Sequence, residues 1–263
     1  MLEHFEKFSK GDTSLLPLSF SHLSEFAFYR ARWALRRIFG YEFPTSAAAE
    51  RGKAVESGIN LILNGHDLDK AKKLMYDEYD ANCSRINDPN VLTERDNLVP
   101  LLELGAYKFQ QFAFKWNLIG YQEKIETTIE GIPVIGYTDF KFEDKKTQEE
   151  FYLDLKTSKS LPNAITVSHA MQQSIYHRGT NARQMLWYLK NPTKTKGAEW
   201  KSLELDNYNF PMTICKHIIN VMGNYLSTVN TAEDVKNSLI PNPDSWIWKE
   251  KTVYDARMEV WGY

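Results

Sequence analysis

The amino-acid sequence predicts an α/β fold, with a mixed central sheet flanked by helices and a further helical layer at the N-terminus. The prediction depends on a change of period along the chain. Residues 1–118 are mostly helical in pattern, residues 119–206 alternate polar and apolar side chains as strands do, and residues 207–263 add a long helix and an aromatic tail. Strands and helices in this order are typical of a sheet covered on both sides. No Pro/Gly/Ser-rich linker interrupts the 263 residues, so we expect a single domain over 1–263.

The N-terminal part is predicted to contain four helices, because apolar residues recur in it every three or four positions. The first is expected to end at Gly40, since glycine commonly follows a helix. The expected bounds of the four are 21–40, 46–64, 68–83 and 95–116.

The sheet is predicted to begin with a β-hairpin over 121–144, whose strands flank Gly131-Ile132-Pro133. The remaining elements, in chain order, are a strand at 150–158, a helix at 163–179, strands at 182–191 and 199–207, a helix at 210–230 and an irregular aromatic tail at 241–263.

Composition and charge exclude several classes of protein. No run of about 18 apolar residues occurs, so no membrane helix is expected, and the first residues lack the apolar segment of a secretory signal. Cys83 and Cys215 are too few for a disulfide framework, which favours a reducing, cytoplasmic location, in the host cell if a phage encodes the chain. The net charge of −2 excludes a uniformly basic surface but not a local basic channel. No G-x-x-x-x-G-K-[ST] segment is present, which excludes a helicase motor.

Two acidic residues and a lysine are candidates for chemistry. Asp154 and Lys156 share one face of a strand in "YLDLKTSK", while Leu153 and Leu155 share the other. If the preceding strand pairs with this one, Asp139 lies close to Asp154. Two carboxylates about 4 Å apart repel by about 4 kcal/mol at a dielectric of about 20, and a divalent cation reverses that repulsion. Oxygen ligands favour Mg²⁺ or Mn²⁺ over Zn²⁺, and the lysine would hold the attacking water and the phosphate. The simpler alternative is a solvated strand face.

Four short segments, taken in order, resemble the PD-(D/E)XK nuclease superfamily in its RecB-like branch, which includes CRISPR-associated RecB-type nucleases and many phage exonucleases. The resemblance spans roughly residues 18–190, including the serine-rich "LSFSHLSEF" at 18–26. It implies a restriction-endonuclease-like fold and metal-dependent cleavage of DNA. The segments are Gly52 to Glu56, Gly136 to Asp139, Asp154-Leu155-Lys156, and Gln172 to Tyr176.

The resemblance also implies the catalytic roles. Asp139, Asp154 and the backbone carbonyl of Leu155 would hold Mg²⁺ or Mn²⁺. Glu56 would add a carboxylate, directly or through water. Lys156 would orient the attacking water.

A second group of residues is expected to contact DNA. Gln172 and Tyr176 share a helix face by their i, i+4 spacing and would position the strand near the cut. Lys159, just after the catalytic strand, and Arg30, on an arginine-rich helix, are candidates for contact with phosphates.

The sequence departs from the branch in two places. Glu56 stands where the branch most often has histidine. Many relatives bind an iron–sulfur cluster through four cysteines, several of them in a tail similar to residues 241–263, but this tail has no cysteine. We therefore expect no iron–sulfur cluster, and we expect Trp246, Trp248 and Trp261 to pack in its place.

The sequence thus predicts a metal-dependent DNA exonuclease of phage or recombination-type DNA processing. An endonuclease or nickase of the same fold and a trimming nuclease in CRISPR adaptation are the enzymatic alternatives. A catalytically inactive DNA-binding or assembly subunit is the non-enzymatic one. A homo-oligomer, a recombination-protein partner and the polarity of digestion stay open.

Overall fold

The computed structural model of the protein describes residues 1–8 and 15–263, and it confirms the predicted fold class. Six strands form one mixed sheet flanked by helices, an arrangement compatible with a restriction-endonuclease-like fold. The strands are β1 (Leu18–Ser19), β2 (Trp116–Ile129), β3 (Ile132–Asp144), β4 (Glu150–Ser158), β5 (Arg183–Lys190) and β6 (Glu199–Glu204).

The helices precede, connect and follow the strands. None of them, within the described ranges, is long and apolar enough to cross a bilayer. They are α1 (Leu2–Glu6), α2 (Phe20–Phe28), α3 (Arg30–Arg37), α4 (Ala47–Leu63), α5 (Leu68–Cys83), α6 (Val91–Asp96), α7 (Leu98–Phe112), α8 (Val167–Thr180), α9 (Asn209–Thr228), α10 (Ala232–Ser238), a 3₁₀ helix (Trp246–Lys249) and α11 (Lys251–Trp261).

Strand β3 pairs with three other strands, and its two edges have different partners. Along one edge it pairs with β2 over nearly its full length as an antiparallel hairpin. Along the other edge it pairs in parallel with β1 through Val134 and Ile135, and then antiparallel with β4 from Phe140 to Glu143. Residues 136–139 lie between these two partners and, within the described part of the chain, have no ladder partner on that edge. The sheet continues from β4 to β5 in parallel and from β5 to β6 antiparallel.

Two hydrophobic clusters cover opposite sides of the sheet. One joins α4, α5 and α7 to apolar side chains of β4 and β5, among them Leu153, Leu155 and Trp187. It corresponds to the predicted N-terminal helical layer. The other joins α2, α8 and α9 to β1 and to the turn end of the β2–β3 hairpin, and it includes Met171 and Ile175 of α8. A smaller third cluster connects α3 with the 3₁₀ helix and α11.

Two of the predicted helices are each interrupted. The helix predicted over 21–40 breaks at Tyr29 (φ −143°, ψ 54°) into α2 and α3. The break brings the rings of Phe26 and Trp33 to a centroid distance of 5.0 Å, whereas seven residues of straight helix would separate them by about 10 Å along the axis. The helix predicted over 95–116 is likewise divided between α6 and α7. It ends at Phe112, and the last predicted residue, Trp116, already belongs to β2.

The tail is more regular than predicted. It was expected to be irregular after residue 240, yet it contains the 3₁₀ helix and α11, and α10 precedes it. Thr231 and Asp234 cap the start of α10 reciprocally, and the Glu250 side chain accepts from two backbone N–H groups at the start of α11. Such caps satisfy donors that a helix cannot pair internally. The Thr-x-x-Asp spacing is a signal in the sequence for α10, which lies between the predicted helix at 210–230 and the predicted tail.

Candidate active site

Strand β4 places Asp154 and Lys156 on one face and Leu153 and Leu155 on the other, as predicted. Both leucines belong to the cluster under α4 and α7. Asp154 is only 3% exposed, and its Oδ2 forms an ion pair with Lys156 Nζ. The solvated-face alternative is therefore wrong for Asp154, because a carboxylate is rarely buried unless a charge or a metal compensates it.

Asp139 lies in the gap between β3 and β4. The β3–β4 ladder ends at the pair Phe140 and Leu153, so the next backbone N–H of β4 that faces β3 needs another acceptor. The Asp139 side chain supplies it, because its Oδ2 accepts from the Leu155 N–H at 2.7 Å. Leu155 thus contacts Asp139 through its N–H group, and the metal-binding role of its carbonyl stays a prediction.

The charged groups of the site act on one another's pKa values. Burial raises the pKa of Asp139 well above its usual value, and the charges of Asp154 and Glu56 raise it further. Burial opposes the charge on Lys156, but Asp154 and Asp139 outweigh that effect, so the pKa of Lys156 is raised. The Asp154 Oδ1 atom is buried and accepts no hydrogen bond from the described residues. One lysine thus faces more negative charge than it can neutralise.

Glu56 approaches this group from α4 and is held by a residue that the sequence analysis missed. The Gln122 side chain donates a hydrogen bond to Glu56 Oε1. Burial raises the pKa of Glu56, as does the charge of Asp154, while the bond from Gln122 lowers it. Gln122 has φ 51°, in the middle of β2 and opposite Asp139. A left-handed non-glycine residue costs about 1–3 kcal/mol and is often found at functional sites, but no local sequence signal predicts it here.

Helix α8 brings the predicted Gln172 and Tyr176 to the part of β3 that pairs with β2 but, within the described residues, has no ladder partner on its other edge. The Tyr176 hydroxyl donates to the Tyr137 carbonyl at 2.8 Å, and Gln172 Nε2 donates to the Tyr176 hydroxyl at 2.8 Å. The Tyr176 ring fits here because residue 136 is glycine, since a Cβ on Gly136 would lie 2.3 Å from Tyr176 Cε1. The second and fourth predicted segments therefore contact each other directly.

Arg51, which directly precedes the first predicted segment, joins α4 to α6 by a buried ion pair and to β4 by hydrogen bonds. Arg51 and Glu94 are 2% and 3% exposed and form a salt bridge. Arg51 also donates to Thr157 Oγ1 through Nε and Nη2, at 3.3 and 3.0 Å. A Cβ on Gly52 would lie 3.2 Å from the same Thr157 Oγ1, so the glycine allows α4 to approach β4 closely. Arg51 and Glu94 were not predicted, because nothing in the sequence pairs them.

Two predicted DNA-contacting residues lie apart from the carboxylates. Lys159 is 77% exposed beyond the end of β4, with its Nζ 4.0 Å from Glu94 Oε1. Arg30 lies over the rings of Phe26 and Tyr225, at 4.5 and 5.6 Å. The structure gives Arg30 aromatic partners, and its contact with DNA stays a prediction.

The three tail tryptophans differ in environment. Trp248 is 6% exposed in the cluster beneath α3. Trp261 packs edge-on against Phe39, with centroids 5.9 Å apart. Trp246 is 62% exposed and touches Tyr29. Packing is thus a fair description of the first two, while the absence of a cluster remains a prediction.

The donor set suits a hard divalent cation by its chemistry. Asp139, Asp154 and Glu56 supply only oxygen atoms, which are the ligands that Mg²⁺ and Mn²⁺ prefer. The buried, unpaired Asp154 Oδ1 is an acceptor that a cation would satisfy. Among the described residues, however, no three His, Cys, Asp or Glu side chains are already grouped as metal ligands. In this arrangement Lys156 forms an ion pair with Asp154 Oδ2, and Gln122 donates a hydrogen bond to Glu56 Oε1.

Comparisons with known proteins agree with the fold. The sequence matches no family model and no curated protein. Among solved structures, the chain is similar to a crystal structure named "Putative exonuclease" from Eubacterium rectale, with a TM-score of 0.52, 12% identity, and coverage of 92% of this chain and 98% of that one. A second structure, named SSO0001, has a TM-score of 0.33 and 13% identity over 76% of this chain and 82% of that one, which is too low to bear on the fold. The first similarity supports a nuclease-like fold, and membership of the RecB-like branch stays an expectation.

Proposed function

We propose that this protein is a Mg²⁺- or Mn²⁺-dependent deoxyribonuclease that removes nucleotides from DNA ends. The observation that carries the proposal is the joint placement of Asp139, Asp154 and Lys156 at the interrupted edge of β3. Two buried carboxylates beside one lysine are unfavourable on their own. Such a group is expected where a cation and a phosphate complete the charge balance.

The chain's own residues have distinct tasks in this proposal. Asp139, Asp154 and Glu56 would hold the cation, which supplies an activated water and neutralises charge on the phosphate. Lys156 stays protonated, since its pKa is raised. Its ammonium group can therefore bind the phosphate and the attacking water once it turns from Asp154. Tyr176 and Gln172 form a hydrogen-bonded pair beside the gap between β3 and β4. This pair would position the DNA strand.

We prefer exonuclease action to endonuclease action because the sequence resembles the RecB-like branch, which includes many exonucleases. The name of the structural neighbour is consistent with this preference. The proposal includes a cytoplasmic location, a phage or recombination-type role and no iron–sulfur cluster, so the purified protein should be colourless. A homo-oligomer and a recombination-protein partner remain open within it.

End-labelled linear DNA and closed circular DNA, incubated with Mn²⁺, Mg²⁺ or EDTA, test the proposal. We expect short products from linear DNA only, and none in EDTA. Asp154→Asn should reduce cleavage at least about a hundredfold, because an uncompensated loss of transition-state charge stabilisation costs about 3 kcal/mol or more, while DNA binding persists. Asp144→Asn is the matched control, since Asp144 accepts backbone N–H bonds in a distant turn and asparagine can do the same.

Three other outcomes would each change the conclusion. Cleavage of closed circles would favour the endonuclease or nickase alternative. Binding of DNA without cleavage under any metal would favour the inactive DNA-binding subunit. Full activity of Asp154→Asn would show that the carboxylate–lysine group is not the active site.

A further inference from the structure

A histidine–tyrosine pair on α8 and β5 lies beside Lys156, outside the residues assigned so far. We propose that His169 is a further substrate-contacting residue, whose Nε2–H donates a hydrogen bond to a phosphate oxygen of the bound nucleic-acid strand, and that Tyr188 is the residue that positions it. The inference rests on the proposed function, because it assumes that the DNA strand binds on the face of β4 that carries Asp154 and Lys156.

The register of the sheet places Tyr188 next to Lys156. Strands β4 and β5 pair in parallel, with Lys156 opposite Tyr188 and Asp154 opposite Leu186. Paired residues of neighbouring strands project to the same face. Tyr188 therefore stands beside Lys156, on the face away from Trp187, whose side chain belongs to the cluster under α7.

His169 is fixed at two points. Its Nδ1 lies 2.7 Å from the Tyr188 hydroxyl, and its backbone N–H donates to the Thr166 side chain that caps α8, at 3.2 Å. His169, Gln172 and Tyr176 are related by i, i+3 and i+7, so they form one stripe along α8. The stripe ends at Tyr176, whose hydroxyl donates to the Tyr137 carbonyl in the segment of β3 that, among the described residues, has a ladder partner on one edge only.

The chemistry of the pair determines which nitrogen carries the proton. Burial raises the pKa of Tyr188 to about 12, so the phenol keeps its proton. Burial lowers the pKa of His169, and the charge of Lys156 lowers it further, so the ring is neutral at pH 7. A phenol is a good donor and a neutral imidazole nitrogen is a good acceptor. Tyr188 therefore donates to Nδ1, which leaves the ring proton on Nε2.

Nε2 is the nitrogen that remains available to a ligand. The described residues offer it no hydrogen-bond partner, whereas Nδ1 has Tyr188. His169 is partly exposed. A neutral donor adds a hydrogen bond to a phosphate without adding a second positive charge beside Lys156. The phosphate group is thus the ligand chemistry that fits this side of the site.

The test compares His169→Ala, His169→Gln and Tyr188→Phe with wild type. Glutamine is the informative replacement because its side-chain amide can offer an N–H close to the position of the imidazole Nε2–H. His217→Ala, which alters an exposed residue of α9, is the control. Affinity for a short fluorescent DNA duplex is measured by anisotropy with Ca²⁺ in place of the active metal. Cleavage rates are measured separately with Mn²⁺, and ¹⁵N NMR of the ring reports the tautomer.

We expect His169→Ala to weaken DNA binding about tenfold, as loss of a hydrogen bond to a charged group would. His169→Gln should recover most of that loss, and His217→Ala should bind as wild type does. In Tyr188→Phe the ring should lose its fixed tautomer, and affinity should fall between those of wild type and His169→Ala. Thermal unfolding identifies any variant whose fold is damaged, and the glutamine variant keeps the test valid in that case.

The failures are distinguishable. If wild type binds and cleaves DNA and His169→Ala does so equally well, this inference is overturned while the proposed function stands. The inference is also overturned if glutamine fails to restore binding in a folded protein. If wild type neither binds nor cleaves DNA, the proposed function and this inference fall together.

Discussion

Asparagine in place of Asp139 removes one negative charge from the gap between β3 and β4 and leaves the shape of the side chain unchanged. The substitution should raise the stability of the metal-free protein, although it should abolish the proposed chemistry. The reason is that burial and the charges of Asp154 and Glu56 disfavour the ionised form of Asp139, as its raised pKa shows. Asparagine can still accept the Leu155 N–H through its side-chain oxygen.

The size of the gain follows from the register. The last β3–β4 pair is Phe140 and Leu153, so Asp139 comes opposite Asp154, where Cβ atoms of antiparallel neighbours are about 5 Å apart. Two charges at about 5–6 Å repel by about 3 kcal/mol at a dielectric of about 20. The weaker bond to Leu155 offsets about 1 kcal/mol, and the lost attraction to Lys156 offsets about 2 kcal/mol at the same dielectric. Removal of a buried charge, the largest cause of the raised pKa of Asp139, adds a gain of about 1 kcal/mol or more. We therefore expect the free energy of unfolding to rise by about 1 kcal/mol.

Urea unfolding in EDTA at neutral pH measures this gain, with the exposed helical residue Asp77 changed to asparagine as a control. The sign of the pH dependence is fixed. With a raised pKa in the folded state, Asp139 takes up a proton on folding, so wild type gains stability as pH falls and the advantage of the variant disappears. Mn²⁺ should raise the unfolding midpoint of wild type but not that of the variant. A variant less stable than wild type in EDTA, or one that keeps the Mn²⁺ shift and the activity, would refute the reasoning.

Three further changes have defined outcomes. Gly136→Ala places a Cβ 2.3 Å from the ring of Tyr176 and should cost about 1–3 kcal/mol of stability by overpacking, whereas Gly197→Ala, with open space around it, should cost far less. Burial, and then the nearby arginines, lower the pKa of His22 to about 3, so the unfolded state binds the extra proton and acid destabilises the fold. Between pH 6.5 and pH 5 the free energy of unfolding should fall by about 2 kcal/mol. This fall should be absent in His22→Gln, because a glutamine side chain can still form the capping box. Arg51→Met removes the close charged partner of the buried Glu94 carboxylate, which among the described residues keeps only the exposed Lys159 at 4.0 Å as a charged neighbour. The substitution should cost about 3 kcal/mol in urea unfolding; a cost below about 1 kcal/mol would mean that water or Lys159 compensates the carboxylate.

The sheet was predictable where one strand carries a complete pattern. The predicted strand at 150–158 coincides with β4, because its apolar residues alternate without interruption and turn residues bound it. The hairpin turn was predictable for a similar reason, since Glu130 and Gly131 both have positive φ, and glycine is the residue that favours this backbone. The break at Tyr29 was not predictable, because both halves of that segment have good helical periodicity and only tertiary packing separates them.

The candidate site likewise contains residues that the sequence predicts and residues that it does not predict. Asp139, Asp154 and Lys156 follow from strand period and pairing, which are local properties. The partners that hold the site are not local. Arg51 meets its glutamate 43 positions away, and Gln122, in a left-handed backbone conformation, donates to Glu56 across 66 positions. Such contacts depend on how α4 packs on the sheet, and no spacing within one segment encodes that packing.

The interruption in the β3 ladder bears on how such a protein can change over evolutionary time. Residues 136–139 contribute little to strand pairing on that edge, and the acidic side chains beside them repel one another. Mutations that neutralise these side chains would therefore remove the proposed chemistry while leaving the pairing of β3 with β2, β1 and β4 intact. If the proposed function is correct, loss of catalysis and loss of the fold are separable events in this architecture. Lineages of such a chain could then keep the scaffold and exchange the proposed cleavage for binding through single substitutions.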